Sequence, residues 1–122
     1  MLHTYNNSFT CWHDVVSEFT GTTYRPIERL EFISKIPEPD KVYFADYDIA
    51  GYEGQAVVIW RDKEKYYYLE GSHCSCYGLE QTGFNPEVFE TKELFLAYLE
   101  RYCPWWVETI KDDLIKEIKE DN

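Results

Sequence analysis

The stretch that decides the fold is QAVVIWRDKEKYYYLE, residues 55–70, which joins two runs of β-forming residues through a charged turn. The first run, at 55–60, is predicted as a buried strand, and the second, at 66–70, as the returning strand. The five residues between them are a common length for a hairpin loop. A further strand is predicted at 42–48, VYFADYD, before the two glycines of DIAGYEG turn the chain. Together these segments predict an antiparallel β-meander.

Helices are predicted on the N-terminal side of this meander. Apolar residues recur at helical spacing after Thr10, a good N-cap, which predicts a helix over about 11–19. A second helix is predicted for TYRPIERLEFISKI, where Pro26 suits the first helical turn, although its LEFI run is also compatible with a strand. Residues 1–9 are polar and are expected to be loosely held. The apolar residues of the first helix are Trp12, Val15, Val16 and Phe19.

Two more helices are predicted on the C-terminal side. Thr91 is placed to cap a helix over about 92–102, whose apolar residues form one stripe. Cys103 and Pro104 interrupt this helix, because proline disfavours helix at the residue before it. Pro104 can itself open a last helix over about 104–119.

A chain of 122 residues suits a single domain with one packed core, here residues 1–122. Within it, 42–90 is the predicted hairpin core and 91–121 a helical extension. The predicted fold class is α+β, with a small antiparallel meander of about three or more strands packed against N-terminal and C-terminal helices.

The charge of the chain restricts its partners. There are 23 acidic residues against 12 basic ones, a formal net charge of −11. This field opposes direct binding to nucleic acid or to an anionic membrane, and it favours a basic surface of another protein. Its simpler interpretation is solubility. Because no secretory signal and no membrane-spanning apolar run are found, a cytoplasmic location with reduced cysteines is expected.

The segment GSHCSCYGLE, residues 71–80, concentrates metal-binding side chains between glycines. His73, Cys74 and Cys76 offer three of the four ligands that a tetrahedral zinc site needs. In an extended backbone the two cysteines share one face and His73 points the other way, so only a turn brings all three together. The candidates for a fourth ligand are Cys11, His13 and Cys103.

Other interpretations of this segment remain open. A thiol enzyme would need a base held beside Cys74 or Cys76, and a redox dithiol lacks the helix N-terminus that lowers a thiol pKa in Cys-x-x-Cys. The structural alternative is that the thiols fill a gap in the core while His73 bonds the loop backbone. A zinc site that joins Cys11 and His13 is disfavoured, because residues two apart on a helix point in different directions.

Acidic and aromatic side chains alternate around the turn FADYDIAGYEG, residues 44–54. Asp46 and Asp48 are expected on one face of a strand, and with Glu53 they offer carboxylates to Mg²⁺ or Ca²⁺, although too few for an EF-hand loop. The alternatives are a solvated sheet edge and an acidic protein-binding face. The predicted partner-binding residues are Asp46, Asp48, Glu53, Tyr47, Tyr52, Trp105, Asp112 and Asp113.

The segment from about Tyr43 to Glu90 resembles a family of small acidic proteins found in phage and prophage genomes. The shared motifs stand here as D-Y-D-x-x-G-Y-E-G, A-V-V-I-W and G-S-H-C-S-C-Y-G-L-E, and they cover about half of the chain. The family has no assigned biochemical activity, so the resemblance implies a phage context rather than a mechanism. Relatives usually continue with G-Q-W-x-P-E and end soon after, whereas this chain continues into two predicted helices.

Three functional hypotheses follow. The leading one is a small acidic cytoplasmic phage or prophage accessory protein that binds another protein, for example as an inhibitor of a host defence or nucleic-acid-handling complex. The alternative is a zinc-stabilised module or small thiol enzyme centred on His73, Cys74 and Cys76. The third is a structural or homodimeric protein, because Trp105 and Trp106 cannot both face one core from a single helix. An enzyme is disfavoured because the sequence shows no complete catalytic constellation.

Overall fold

The computed structural model describes most of the chain. The described residues are 4–20, 38–51, 53–73, 79, 83–102 and 107–121, with the backbone alone for 107–109. The predicted helix in TYRPIERLEFISKI and the predicted break at Cys103 and Pro104 lie outside these residues.

Five strands and three helices make up the described part of the chain. In chain order they are β1 (Tyr5–Asn7), α1 (Trp12–Thr20), β2 (Lys41–Ala50), β3 (Glu53–Asp62), β4 (Lys65–His73), β5 (Glu87–Phe89), α2 (Lys92–Arg101) and α3 (Val107–Glu120).

The strands form one sheet in the order β1-β2-β3-β4-β5. β2, β3, β4 and β5 pair antiparallel in sequence, so the predicted meander is confirmed and extended by one strand. β1 pairs parallel to β2, which makes the sheet mixed. With helices from both ends of the chain, this is the predicted α+β fold.

The N-terminal segment is held more firmly than its polar sequence predicts. Residues 5–7 pair with residues 45–47 of β2, and Phe9 is only 1% exposed. The backbone N–H of Ala45 donates to the Thr4 carbonyl at 2.7 Å. The expectation that residues 1–9 are loose is therefore wrong for this part, because three polar residues can form an edge strand when one buried aromatic anchors them.

Each face of the sheet is covered by its own helices. On the first face, α1 packs its buried residues Trp12, Val15, Val16 and Phe19 against Ala45, Val58, Trp60 and Leu69. On the second face, Phe95 and Leu99 of α2 and Leu114 and Ile118 of α3 pack against Phe44, Val57, Ile59 and Tyr66. The helices therefore lie on opposite sides of β3.

The helix starts show local capping. Thr91 accepts a hydrogen bond from the Leu94 amide at 3.2 Å, as predicted for an N-cap. Thr10 acts differently from the prediction, since its backbone N–H and its hydroxyl both donate to the Asp14 carboxylate, at 3.0 and 2.5 Å. The result is still a secured first turn for α1.

An electrostatic contact secures the C-terminal end of α3 on the sheet. A β-bulge places an additional residue, Tyr43, beside Phe44 in the second-face core. The Tyr43 hydroxyl donates to Asp121 at 2.6 Å, and Lys41 and Arg61 each lie 3.6 Å from the same carboxylate. The hydrogen bond from Tyr43 is the main reason that the pKa of Asp121 lies below its ordinary value.

None of the described helices combines the length and the apolar character that crossing a membrane requires.

We predict that Asp121→Asn lowers the free energy of unfolding by about 1 kcal/mol at pH 7, since it weakens a charge-assisted hydrogen bond and removes two ion pairs. The folded-state pKa of Asp121 is depressed, so its contribution is present above the unfolded pKa of about 4 and disappears as pH falls through the folded pKa. Urea denaturation from pH 7 to pH 2 measures this. The exposed neighbour substitution Glu120→Gln is the control, and equal stability of Asp121→Asn and wild type at pH 7 contradicts the prediction.

Candidate functional site

The central strands have two chemically different ends. At the hairpin end lie the start of β2, the end of β3, the start of β4 and the turn at 62–65. At the opposite end, the last residues of β2 and β4 lie beside the first residues of β3. We use the name acidic end for the half of the sheet that runs from the middle of β3 to this second end, and we define it by Asp46, Asp48, Glu53 and Glu70.

The four carboxylates share one face of the sheet. Asp46 and Glu70 both pair with Val57, one from each side, so the three residues form a cross-strand row. Asp48 pairs with Gln55 in the next row. Strand alternation places Glu53 on the same face as Gln55. The prediction that Asp46 and Asp48 share a face is thus confirmed, and the face is the one covered elsewhere by α2 and α3.

Cations are paired with carboxylates at the hairpin end. Lys41 lies 3.4 Å from Glu117, Lys65 lies 3.6 Å from Glu90, and Arg61 lies 3.6 Å from Asp121. Within the part of the chain that the structure describes, Asp48, Glu53 and Glu70 form no ion pair. The carboxylates of Asp48, Glu53 and Glu70 are therefore not neutralised by a neighbouring cation in this part of the chain.

Asp46 is the buried member of the acidic end. It is 8% exposed, and its Oδ1 accepts a hydrogen bond of 2.5 Å from the side-chain amide of Asn7, a residue of β1. Burial raises the pKa of Asp46, the bond from Asn7 opposes the rise, and the Asp48 carboxylate adds to it. Asp46 thus fastens β1 to the sheet, which leaves it little surface to offer to a partner.

The side chain of Glu70 is held in place by hydrogen bonds. Its Oε2 accepts hydrogen bonds from the Tyr68 hydroxyl at 2.5 Å and from the Tyr102 hydroxyl at 2.9 Å. Its side chain is nevertheless exposed. The sequence did not single out Glu70, because one strand residue gives no signal of a contact with Tyr102, which lies 32 positions away.

Behind the acidic end, on the α1 face, Tyr47 and His73 form a pair. The Tyr47 hydroxyl and His73 Nε2 are joined by a hydrogen bond of 2.6 Å, and Tyr47 is 5% exposed. Gly54 pairs with His73 across the strands and lies beneath both rings. A Cβ on Gly54 would lie 2.3 Å from His73 Nε2 and 2.8 Å from Tyr47 Cε1. Only glycine fits there unless the rings move.

This pair changes two of the predicted roles. Tyr47, predicted as a surface contact, is a core residue that also packs against Phe9 with ring centroids 5.3 Å apart. His73, predicted as a zinc ligand, uses one ring nitrogen on Tyr47. Cys74, Cys76, Tyr52, Trp105 and Cys103 lie outside the described residues, so their predicted roles stay predictions.

Among the residues that the structure describes, no three His, Cys, Asp or Glu side chains are grouped to hold a metal ion. Cys11 is exposed just before α1, and His13 lies within α1. Asp112 and Asp113 are exposed on α3. They are separate from the row of Asp46 and Glu70.

We predict that Gly54→Ala lowers the free energy of unfolding by about 1–3 kcal/mol, because the new methyl group overpacks Tyr47 and His73. The same substitution in a His73→Ala background should cost clearly less, since the closest clash is then absent. Thermal and urea denaturation of the four proteins of this double-mutant cycle provide the measurement. An equal cost of Gly54→Ala in both backgrounds would show that the His73 contact does not demand glycine.

Comparison of the chain with protein-family models, with curated proteins and with solved structures found no match. The resemblance to phage and prophage proteins therefore stays a prediction.

Proposed function

We propose that this chain is a small accessory protein that binds the basic surface of another protein through the acidic end of its sheet. The observation that carries the proposal is a group of carboxylates on one face that have no cation partner. Lys41, Arg61 and Lys65 at the hairpin end are paired, whereas Asp48, Glu53 and Glu70 meet no cation among the described residues. An array of unpaired carboxylates on a rigid sheet attracts a complementary cationic surface and speeds its association.

The geometry also favours a protein partner on energetic grounds. The carboxylates project from paired strands, so their backbone needs no ordering when a partner docks. Glu70 is already oriented by two tyrosine hydroxyls. Asp112 and Asp113 are further exposed carboxylates, on α3. A net charge of −11 disfavours a partner that is itself acidic, including nucleic acid.

The kind of partner that we propose is a host complex that handles nucleic acid or serves in defence, within the cytoplasm. Proteins that bind phosphate backbones carry basic grooves, and an acidic protein that occupies such a groove excludes the nucleic acid. The phage resemblance of the motifs at 43–90 supports this choice of partner.

We predict that the triple variant Asp48→Asn/Glu53→Gln/Glu70→Gln fails to retain the basic proteins that the wild-type chain retains from a host lysate. The lysate is kept at about 0.1 M salt, at which charges within about 10 Å of each other still interact. The matched control, Glu64→Gln/Glu90→Gln/Glu120→Gln, removes three exposed carboxylates at the hairpin end and should retain them. Quantitative mass spectrometry of the captured proteins gives the comparison. If both triple variants behave alike, net charge rather than the acidic end governs binding, and the proposal fails.

A further inference from the structure

Next to the acidic end, a groove follows the outer side of α2. Its volume is about 390 Å³, and most of its lining is apolar. One wall is the exposed side chain of Leu94, which is 57% accessible to solvent. The lining residues are Leu94, Ala97, Tyr98, Arg101 and Tyr102.

Tyrosine rings form an aromatic surface in this groove. The rings of Tyr98 and Tyr102 are stacked, with centroids 5.1 Å apart and planes at 16°. Tyr68 supports both of them edge-on, at 5.6 and 5.7 Å. Both stacked rings are half-buried, so each keeps some surface open to solvent. A ring face held in place in this way attracts a cation placed above it.

A carboxylate lies at the Tyr102 end of the groove. The Tyr102 hydroxyl donates to Glu70 Oε2, the same oxygen that accepts from Tyr68. Among the described residues, no hydrogen bond reaches Glu70 Oε1. Glu70 is not itself a lining residue, and it lies one hydrogen bond beyond Tyr102 with an oxygen left to accept.

The charges near the groove have both signs, with carboxylates beyond its lining and Arg101 within it. Burial raises the pKa of Tyr98 to about 12, and the carboxylates of Glu87 and Glu70 add to the rise. The phenol is thus neutral at physiological pH and lies in a negative field. Arg101, at the C-terminal end of α2, is the opposing charge, and it should weaken the binding of a cation rather than prevent it.

We propose that this groove is the socket for an arginine side chain of the basic partner. The inference rests on the proposed function and identifies the group that anchors the partner. An arginine stem suits the apolar wall, its planar guanidinium can stack on a tyrosine ring, and its N–H groups suit a carboxylate. A lysine ammonium carries the same charge but cannot stack in this way and is more strongly hydrated.

The test uses the full-length chain and three short probes. These are N-acetyl-Gly-Arg-Gly-amide and the same peptide with lysine or citrulline in place of arginine, titrated while the amide and aromatic NMR signals are recorded. The arginine peptide should shift the signals of Tyr98 and Tyr102 and should bind about threefold or more tightly than the lysine peptide. The citrulline peptide, which has no charge, should bind least.

Substitutions locate the binding. Glu70→Gln keeps an oxygen for the two tyrosine hydroxyls but removes the charge, and it should weaken the arginine peptide about fivefold. Arg101→Gln should strengthen binding, because it removes a like charge. Leu94→Ala, at an exposed position that the fold does not need, should weaken it. The matched control is Glu90→Gln, an exposed carboxylate at the hairpin end, which should leave binding unchanged.

Three results would overturn the socket. The first is that the peptides shift only NMR signals of residues outside the groove. The second is an equal affinity for the arginine and lysine peptides. The third is that Glu70→Gln and Glu90→Gln change the affinity for the arginine peptide equally. The failure of the socket can be told apart from that of the proposed function. If Glu70→Gln alone retains basic lysate proteins as well as wild type does, while the acidic-end triple variant loses them, the function stands and the arginine socket does not.

Discussion

Burial of β3 on both of its faces is the constraint on which the other elements depend. Residues 56–60 are at most 4% exposed, although their side chains alternate between the two faces. Each fully buried valine or isoleucine side chain contributes about 1.5–3 kcal/mol, so neither face can be left to water. α1 therefore covers one face, and α2 with α3 covers the other. Because the helices come from opposite ends of the chain, the fold is complete only when both ends have docked.

The two ends of the sheet differ in how their charges are paired. Asp121 holds the end of α3 at the hairpin end, together with Lys41 and Arg61. This contact uses cations to secure the fold. Asp48, Glu53 and Glu70 at the other end form no ion pair within the described residues.

Two of the sequence motifs meet in one contact behind that end. The Y-E-G turn supplies Gly54, and the G-S-H-C run supplies His73, whose ring lies over the missing Cβ. Tyr47, from D-Y-D, closes the contact through its hydrogen bond to His73. Residues that looked like candidates for binding or metal chemistry thus have a packing role, since a buried polar pair must be satisfied. The close approach of β2, β3 and β4 accounts for Gly54, Tyr47 and His73 at these positions.

The sequence by itself determined the elements that carry a local signal. Alternation and β-forming residues placed the hairpin, helical spacing placed α1, α2 and α3, and Thr91 marked the start of α2. These signals are local because periodicity and capping involve residues a few positions apart. The charge of −11 and the common face of Asp46 and Asp48 were also accessible from the sequence.

Only the tertiary structure decided which residues become neighbours across the fold. β1 has three polar residues and no pattern, and it is a strand because β2 offers an edge and Phe9 enters the core. Tyr47 is buried rather than exposed because α1 covers its face. Glu70 meets Tyr102, and Asp121 meets Tyr43, across 32 and 78 positions of chain. Contacts at such separations depend on how helices dock on the sheet, and no local pattern of residue types encodes that docking.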